Sequence, residues 1–541
     1  MNILFVMYDQ LRFDYLSCAG HPTLETPNFD RVAKMGVRFT QAHVQSPVCG
    51  SSRMSFYTGR YASSHGAQWN GFPLRVGEVT LGDHLRKLGM GCYLIGKTHM
   101  VADAEGMTRL GLAPDTVIGA RQSECGFDAV VRDDGLWGEG PDGFYDRKRS
   151  PYNEYLKSKG YESDNPWSEF ANAGVSGDDI ASGWFFRNAD KPANIREEDS
   201  ETPWLTDRAL EFLETAEGPW CAHVSFIKPH WPYIVPAPYH AMYGPKDVPP
   251  AVRSEVERQD PHPIYRAFMS NNIGKSFSRD EVREKVIPAY MGLIKQCDDQ
   301  LGRLLDRLEE TGEIANTMIV LTSDHGDYLG DHWLGEKDLF HQQSVKIPLI
   351  VYDPRAEADT TRGTTCDALV EAIDLAATFV EAAGGEVPDH IIEGRSLMPF
   401  LHGAKVESWR EVVVSEYDYS VTPMRAGLGV SSRDARLFMV FDGRWKMIHA
   451  EGGFRPMLFD LQEDPEEFHD LAKGNAHQGE IDRLYGYLAQ WGRRMSQRVT
   501  KSEDDIKASR GRSARKGILP FLVDGSEVPD ALTEHYRGPA P

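Results

Sequence analysis

Cysteine is scarce and irregularly spaced, with seven residues at positions 18, 49, 92, 125, 221, 297 and 366 of 541. An odd, scattered set in so long a chain reads as reduced thiols and excludes a disulfide framework or a cysteine-rich zinc site. Long apolar runs are missing too. The opening stretch Met1-Asn2-Ile3-Leu4-Phe5-Val6-Met7-Tyr8-Asp9 is far too short to span a bilayer. It has neither the basic flank nor the small-residue cleavage site of a secretory signal, so it reads as the first core strand of a cytoplasmic protein with no membrane partner. Basic blocks are absent before the C-terminal tail, and a net charge of −22 argues against a nucleic-acid surface. No internal repeat is present. What remains, 41% hydrophobic and 26% charged residues, is the composition of a soluble globular protein. At 541 residues the chain exceeds what one hydrophobic core serves, so one large domain plus a smaller one is expected.

The stretch richest in chemistry is Ser46-Pro47-Val48-Cys49-Gly50-Ser51-Ser52-Arg53-Met54-Ser55-Phe56-Tyr57-Thr58-Gly59-Arg60. Small residues allow a tight turn and a short helix follows, which puts Cys49 at or just before a helix N-terminus, where anions are favoured. Alone, Cys49 reads as a buried structural thiol. The rest of the chain changes that weighting. Ile3 to Tyr8 reads as a strand buried on both faces, ending on Asp9 and Gln10. Further strands are expected at Val37–His43, Cys92–Gly96, Cys221–Phe226, Thr317–Ser323 and Ile347–Tyr352. They alternate with helices near Thr26–Ala33, Thr80–Gly89, Pro203–Ala216, Tyr290–Leu308 and Asp367–Ala383. That alternation predicts an α/β fold with a large, mostly parallel sheet sandwiched by helices. Residues from about 102 to 202 show weak periodicity and read as a long insertion of loops over the sheet.

Near residue 400 the texture changes to short strands at Val412–Val414, Arg436–Phe441, Trp445–Ile448 and Met457–Asp460, then a helix around Ile481–Met495. This predicts a smaller C-terminal antiparallel sheet plus helix. The expected domains are therefore 1–400, 401–499 and a tail, 500–541. In the tail an apolar cluster (Ile518, Leu519, Phe521, Leu522, Val523) follows a charged stretch. Such a cluster is expected to dock on its own large domain or on a neighbouring subunit, giving a homo-oligomer, dimer ahead of tetramer.

Two acids at the ends of buried strands, Asp9 and Asp324, with His325 beside the latter, suit a divalent cation held mainly by hard oxygens: calcium, magnesium or manganese. Arg53, Lys97, His99, His230 and Lys337 arrive from other loops. Each alone has an ordinary reading as a solvated or satisfied side chain. Together, around a nucleophile, they describe a site that binds a tetrahedral oxyanion and stabilises charge developing on it.

These motifs, in this order, resemble the sulfatase family of the alkaline-phosphatase-like superfamily over nearly the full length. Cys49, Arg53 and Thr58-Gly59-Arg60 match the family's Cys-x-Pro-x-Arg and Thr-Gly-Arg signature, with Ser51 in place of proline. Gly96-Lys97-Thr98-His99, Lys228-Pro229-His230-Trp231-Pro232-Tyr233, Ser323-Asp324-His325-Gly326-Asp327 with Lys337, and Phe459-Asp460-Leu461-Gln462-Glu463-Asp464-Pro465 are similar to the family's remaining motifs. The resemblance implies that Cys49 is oxidised to formylglycine by a maturation enzyme and that its hydrate is the nucleophile. It implies one cation, calcium first and manganese as the alternative, held by Asp9, Asp324, His325 and residue 49. It also implies catalytic roles for Arg53, Lys97, His99, His230 and Lys337, with His230 or Lys337 protonating the leaving alcohol. Asp9-Gln10 in place of paired aspartates, His325 in place of asparagine, and Asn70 resemble the phosphonate monoester hydrolases and choline sulfatases, which makes Gln10 and Asn70 substrate-binding candidates. Lys97 and His99 are the sulfatase choice. The expected activity is hydrolysis of an aryl or other small organic sulfate ester, with phosphonate monoester or phosphodiester cleavage as the alternative. A non-catalytic anion-binding protein and a phosphomutase are the rival readings.

Overall fold

The computed structural model describes residues 1–135 and 150–509. The apolar cluster expected at 518–523 and most of the expected tail lie outside the described residues. Eight strands form the main sheet: β1 (Asn2–Asp9), β2 (Val37–His43), β3 (Gly91–Gly96), β4 (Asp128–Arg132), β7 (Trp220–Pro229), β8 (Thr317–Ser323), β9 (Lys346–Tyr352) and β10 (Thr364–Glu371). Between β4 and β7 the chain makes a separate hairpin, β5 (Ala173–Ser176) and β6 (Asp179–Ser182).

The main sheet runs β10-β2-β9-β8-β1-β7-β3-β4. All pairings are parallel except those of β9, which is antiparallel to both β2 and β8. Its centre is β1, and the reason for the unbroken apolar run there is now visible. Ile3, Phe5 and Met7 enter one core layer, with Met54, Phe56 and Tyr57 of the helix Cys49–Thr58. Leu4, Val6 and Tyr8 enter the other, with Tyr290, Leu293, Leu301 and Leu305 of the helix Asp280–Glu310. A strand covered on both faces has no solvent side for a polar residue to occupy.

Parallel neighbours end together, so β1, β7, β3 and β8 deliver Asp9, Lys228-Pro229, Lys97 and Asp324 to one edge of the sheet, where ligands of open α/β sheets bind. β7 continues past the expected Phe226 to Pro229, with a register shift opposite Tyr8/Asp9.

The insertion is more ordered than expected. It carries short helices at Ala104–Leu110, Val117–Ser123 and Pro151–Ser158, the edge strand β4 and the β5–β6 hairpin. The C-terminal unit is an antiparallel meander of β11 (Val413–Asp418), β12 (Arg436–Phe441), β13 (Trp445–Ala450) and β14 (Met457–Asp460), covered by the helix Gln478–Gly492. It reaches back toward the sheet edge. Lys446 Nζ donates to Phe340 O (2.9 Å) and pairs with Glu467 (2.6 Å), whose other oxygen accepts the Gln342 N–H (3.0 Å). These contacts brace the segment just beyond Lys337. Among the described residues no helix is long and apolar enough to cross a membrane.

Candidate active site

Cys49 is the first residue of its helix and is fully buried. The next N–H, on Gly50, would be an orphan donor at the helix start. It donates to Asn70 Oδ1 at 2.7 Å. A Cβ at Gly50 would lie 2.9 Å from that oxygen, so glycine lets the amide approach. Asn70 therefore fixes the turn carrying residue 49, and its Oδ1 is occupied in doing so.

Four turns below the sheet edge converge on the thiol. Cys49 Sγ lies 3.0 Å from His325 Nε2, 3.2 Å from Lys337 Nζ and 3.8 Å from Asp9 Oδ1. His325 Nε2 is in turn 3.8 Å from Asp9 Oδ1 and 3.7 Å from Asp324 Oδ1. His325 Nδ1 donates to Gly326 O (2.8 Å), which leaves Nε2 facing the cluster. Asp9, Cys49, Asp324 and His325 are all buried and each offers one ligand atom within 4.8 Å of the others. The donor set is two carboxylates, an imidazole and a thiolate, with the spacing expected around one divalent ion.

The carboxylates are held from behind. Arg53 is completely buried and donates through Nε to Asp324 Oδ2 (2.8 Å) and through Nη2 to Asp9 Oδ2 (3.1 Å). Its Nη1 donates to Ser225 Oγ (2.7 Å) and to Lys97 O (3.0 Å). Lys97 Nζ pairs with Asp9 Oδ2 at 2.5 Å. It gets there because Gly96 turns with φ +113, in a position where a Cβ would meet Ser225 O at 2.2 Å. Lys97 thus spends its charge on a carboxylate of the cluster. Gln10 adopts φ 65 and donates its N–H to Asp324 Oδ1 (3.0 Å). Its Nε2 donates to Asp327 Oδ2 (2.5 Å) and Tyr233 OH (3.1 Å), while its Oε1 accepts from Lys337 (3.4 Å).

His230 Nδ1 faces Trp231 O at 2.7 Å and so carries the ring proton; its Nε2 accepts from Lys337 Nζ at 3.2 Å. His99, with φ 56, is fixed through its backbone N–H, which donates to Asp134 Oδ1 (3.2 Å), and its carbonyl lies beside Gly50. Among the described residues its ring has no hydrogen bond joining it to the thiol cluster, and its Nδ1 has no partner. Left-handed backbone at Gln10, His99, Glu336 and Asp338 is the strain that functional turns concentrate.

Crowding sets the charges. Burial pushes the Cys49 thiol up, but Lys337, His325 and Lys97 outweigh it and hold it well below the ordinary value, as a thiolate. Burial and Cys49 raise the Asp9 carboxyl, and Lys97, His230 and Arg53 together bring it below the usual range. Burial lowers His325, yet Asp324 and Cys49 raise it to about 9. An imidazole gaining a proton beside three anionic donors marks a centre with surplus negative charge, which a divalent cation neutralises.

Ser225, Asp327 and Tyr233 had been assigned no role from the sequence. Ser225 had a legible signal: it is a hydroxyl on a fully buried strand, where a purely structural position would be apolar.

Residues 1–385 match the family profile described as Sulfatase, and residues 330–492 match one described as N-sulphoglucosamine sulphohydrolase, C-terminal. The chain is 32% identical over 506 residues to the multifunctional alkaline phosphatase superfamily protein PehA of Trinickia caryophylli, covering 88% of this chain and 92% of that protein. It is 26% identical to the arylsulfatase of Clostridium perfringens, over 89% of this chain and 92% of that one. Among solved structures, the phosphonate monoester hydrolase from Silicibacter pomeroyi superimposes with a TM-score of 0.79 at 29% identity, covering 92% of this chain and 96% of that chain.

Proposed function

Because the chain belongs to the sulfatase family, we propose that it hydrolyses sulfate monoesters at the Asp9–Cys49–Asp324–His325 centre, with phosphonate monoesters as second substrates. The observation that carries this reading is Lys337, whose Nζ lies 3.2 Å from Cys49 Sγ and 3.2 Å from His230 Nε2. A cation, a nucleophile and a proton-accepting ring meet there beside four metal-ligating atoms. A non-catalytic anion-binding protein has no need of that arrangement.

Asp9, Asp324, His325 and residue 49 would hold a divalent cation, calcium ahead of manganese, which would polarise the ester and offset charge on the nucleophile. Oxidation of Cys49 to formylglycine would supply a geminal diol, whose second hydroxyl lets the sulfated enzyme release its product. Cys49 has no exposed surface in the folded chain, so a maturation enzyme must reach it before folding completes. Arg53 and Lys97 keep Asp9 and Asp324 aimed at the ion and are positioning residues. Lys337 donates toward the leaving oxygen, and His230 holds the ammonium in place. In active protein, mass spectrometry of the peptide containing residue 49 should show the aldehyde. Rapid sulfate turnover with only the unmodified thiol present would overturn that part of the reading.

Specificity between the two oxyanions rests on His99. A phosphonate monoester carries a substituent where sulfate has a bare oxygen, and a polar donor facing that position favours the oxygen. Lys97, paired with Asp9, is not free to act there. Wild-type enzyme is expected to show higher kcat/KM for 4-nitrophenyl sulfate than for 4-nitrophenyl phenylphosphonate. His99→Ala should narrow that ratio by about tenfold. A wild-type preference for the phosphonate exceeding about tenfold, or 1.4 kcal/mol, would instead make phosphonate ester hydrolysis the main activity. That second reading is favoured by Gln10 and His325 in the cluster and by the Silicibacter pomeroyi structure.

A further inference from the structure

A cavity of ≈ 660 Å³ opens beside the catalytic loops, and its wall includes Trp231 and Glu336, the chain neighbours of His230 and Lys337. Its outer wall is Trp184 and Phe185, just after the β5–β6 hairpin. They are 46% and 52% exposed, unusual for two large adjacent aromatics that the reaction itself does not use. The His230 ring lies 4.4 Å from the Trp231 ring, and Trp231 lies 5.4 Å from Trp184. A row of rings therefore leads from the leaving-group side of the centre into the cavity.

Trp184 is fixed without a ligand. Its N–H donates to Ser182 Oγ (3.3 Å) and its Nε1 to Ser168 Oγ (3.4 Å). A Cβ at the preceding Gly183 would fall 2.1 Å from Asn172 O, so the loop lies flat against the body of the protein. The two indoles pack against each other at 59°, so together they form one aromatic wall of the cavity. Trp231 Nε1 is a buried donor with no acceptor among the described residues.

The charges choose between possible occupants. The wall carries Arg187, Arg279 and Lys285 against Glu281 and Glu336. Lys285 is paired with Asp190 (2.6 Å), and the Arg187 guanidinium lies over the Phe185 ring at 4.6 Å. A quaternary ammonium wants aromatic faces with surplus negative charge. Here one of the aromatic faces is already taken by a cation, and with Lys285 neutralised by Asp190 the two arginines balance the two glutamates, which leaves no surplus negative charge.

We propose that this cavity binds the leaving alcohol as an aryl group, packed against the wall that Trp184 and Trp231 form together, so that the substrates are aryl esters and not choline-type or short alkyl esters. The volume suits a substituted or two-ring aryl group. The inference rests on the ester-hydrolase reading for its leaving group, and is independent of which oxyanion is cleaved.

Two measurements test it. Steady-state kinetics with 4-nitrophenyl sulfate and choline-O-sulfate compare wild type, Trp184→Ala and Trp184→Phe. Trp184→Ala should raise KM for the aryl ester by about fivefold to tenfold, with the effect confined to KM, and Trp184→Phe should restore most of the loss. The loss on choline-O-sulfate should be at least fivefold smaller. An unchanged KM for the aryl ester, or equal losses on both esters, overturns the assignment. Equilibrium dialysis of 4-nitrophenol needs no turnover: weaker retention by Trp184→Ala supports the subsite and equal retention overturns it. Should wild type cleave neither ester, the proposed function fails, and the dialysis still decides the cavity.

Discussion

Asp324→Ala should release the bound cation, abolish ester hydrolysis and destabilise the fold, all in one substitution. The carboxylate does three things. Its Oδ1 faces His325 Nε2 in the ligand cluster and accepts the Gln10 N–H, while its Oδ2 accepts from Arg53 Nε. Arg53 has no exposed surface, and Asp9 would remain its only carboxylate partner among the described residues. Breaking one arm of a buried ion network costs about 3–5 kcal/mol, because the surviving charge stays out of water. Asp324→Asn separates the effects. An amide oxygen still accepts the Gln10 N–H and preserves the shape, but the negative charge that binds the ion is gone. Its NH2 would then face the Arg53 Nε donor, so the asparagine variant should also melt below wild type but less far than alanine, while its cation affinity falls by at least about 100-fold. Metal analysis after dialysis, alongside a thermal melt, reads both quantities. An alanine variant that keeps a full equivalent of cation would remove Asp324 from the ligand set.

How far this centre could be read from the chain depended on what carries each residue. Asp9 and Asp324 were legible because β1 and β8 are covered on both faces, and an unbroken apolar run that stops at an acid marks a strand end. Cys49 was legible as a helix start because Gly50 to Ser52 cannot pack a core and Gly59 closes the helix with φ 67. Lys97 was visible, but its task was not. It is spent on Asp9 because one glycine bends the chain under Ser225, a contact between β3 and β7 that no local spacing encodes. Gln10 was legible as a polar residue at the end of β1, but not that Asp327 and Tyr233 would hold its amide from two other loops. The antiparallel insertion of β9 was invisible for a simpler reason: Ile347 to Tyr352 is apolar throughout, and such a run reads the same in either direction. In the insertion, helices of seven or eight residues make about two turns, too few for a 3.6-residue period to stand out.

Lys337→Ala should lower kcat for phenyl sulfate by about 10²–10⁴, the usual worth of a positioned general acid, and much less for 4-nitrophenyl sulfate. In the proposed mechanism His230 and Lys337 are the two groups that could protonate the leaving oxygen, and their hydrogen bonds distinguish them. His230 directs Nδ1 at Trp231 O, so its Nε2 is a lone pair accepting from Lys337. Burial lowers the His230 pKa and Lys337 lowers it further; although Asp9 opposes them, the ring is held at about 3 and is neutral at pH 7. Burial works against the Lys337 charge, but Cys49, Asp9 and Glu336 raise its pKa above the ordinary lysine value. A cation bound beside it works back toward that ordinary value of about 10.4. The sign for catalysis follows: an acid must be protonated to act, so its contribution is lost as pH rises through its pKa. With Lys337 as donor, kcat should hold from about pH 7 to pH 9; with His230 as donor, its pKa held at about 3, kcat would fall throughout that range. Leaving-group dependence gives the second reading. 4-Nitrophenol is expelled without help, whereas phenol needs its oxygen protonated, so the alanine variant should show a steeper dependence of rate on leaving-group pKa than wild type. Equal losses on both esters, or a kcat that falls steadily from about pH 7 to pH 9 in wild type but not in His230→Gln, would transfer the proton to His230 and leave Lys337 as a charge stabiliser alone.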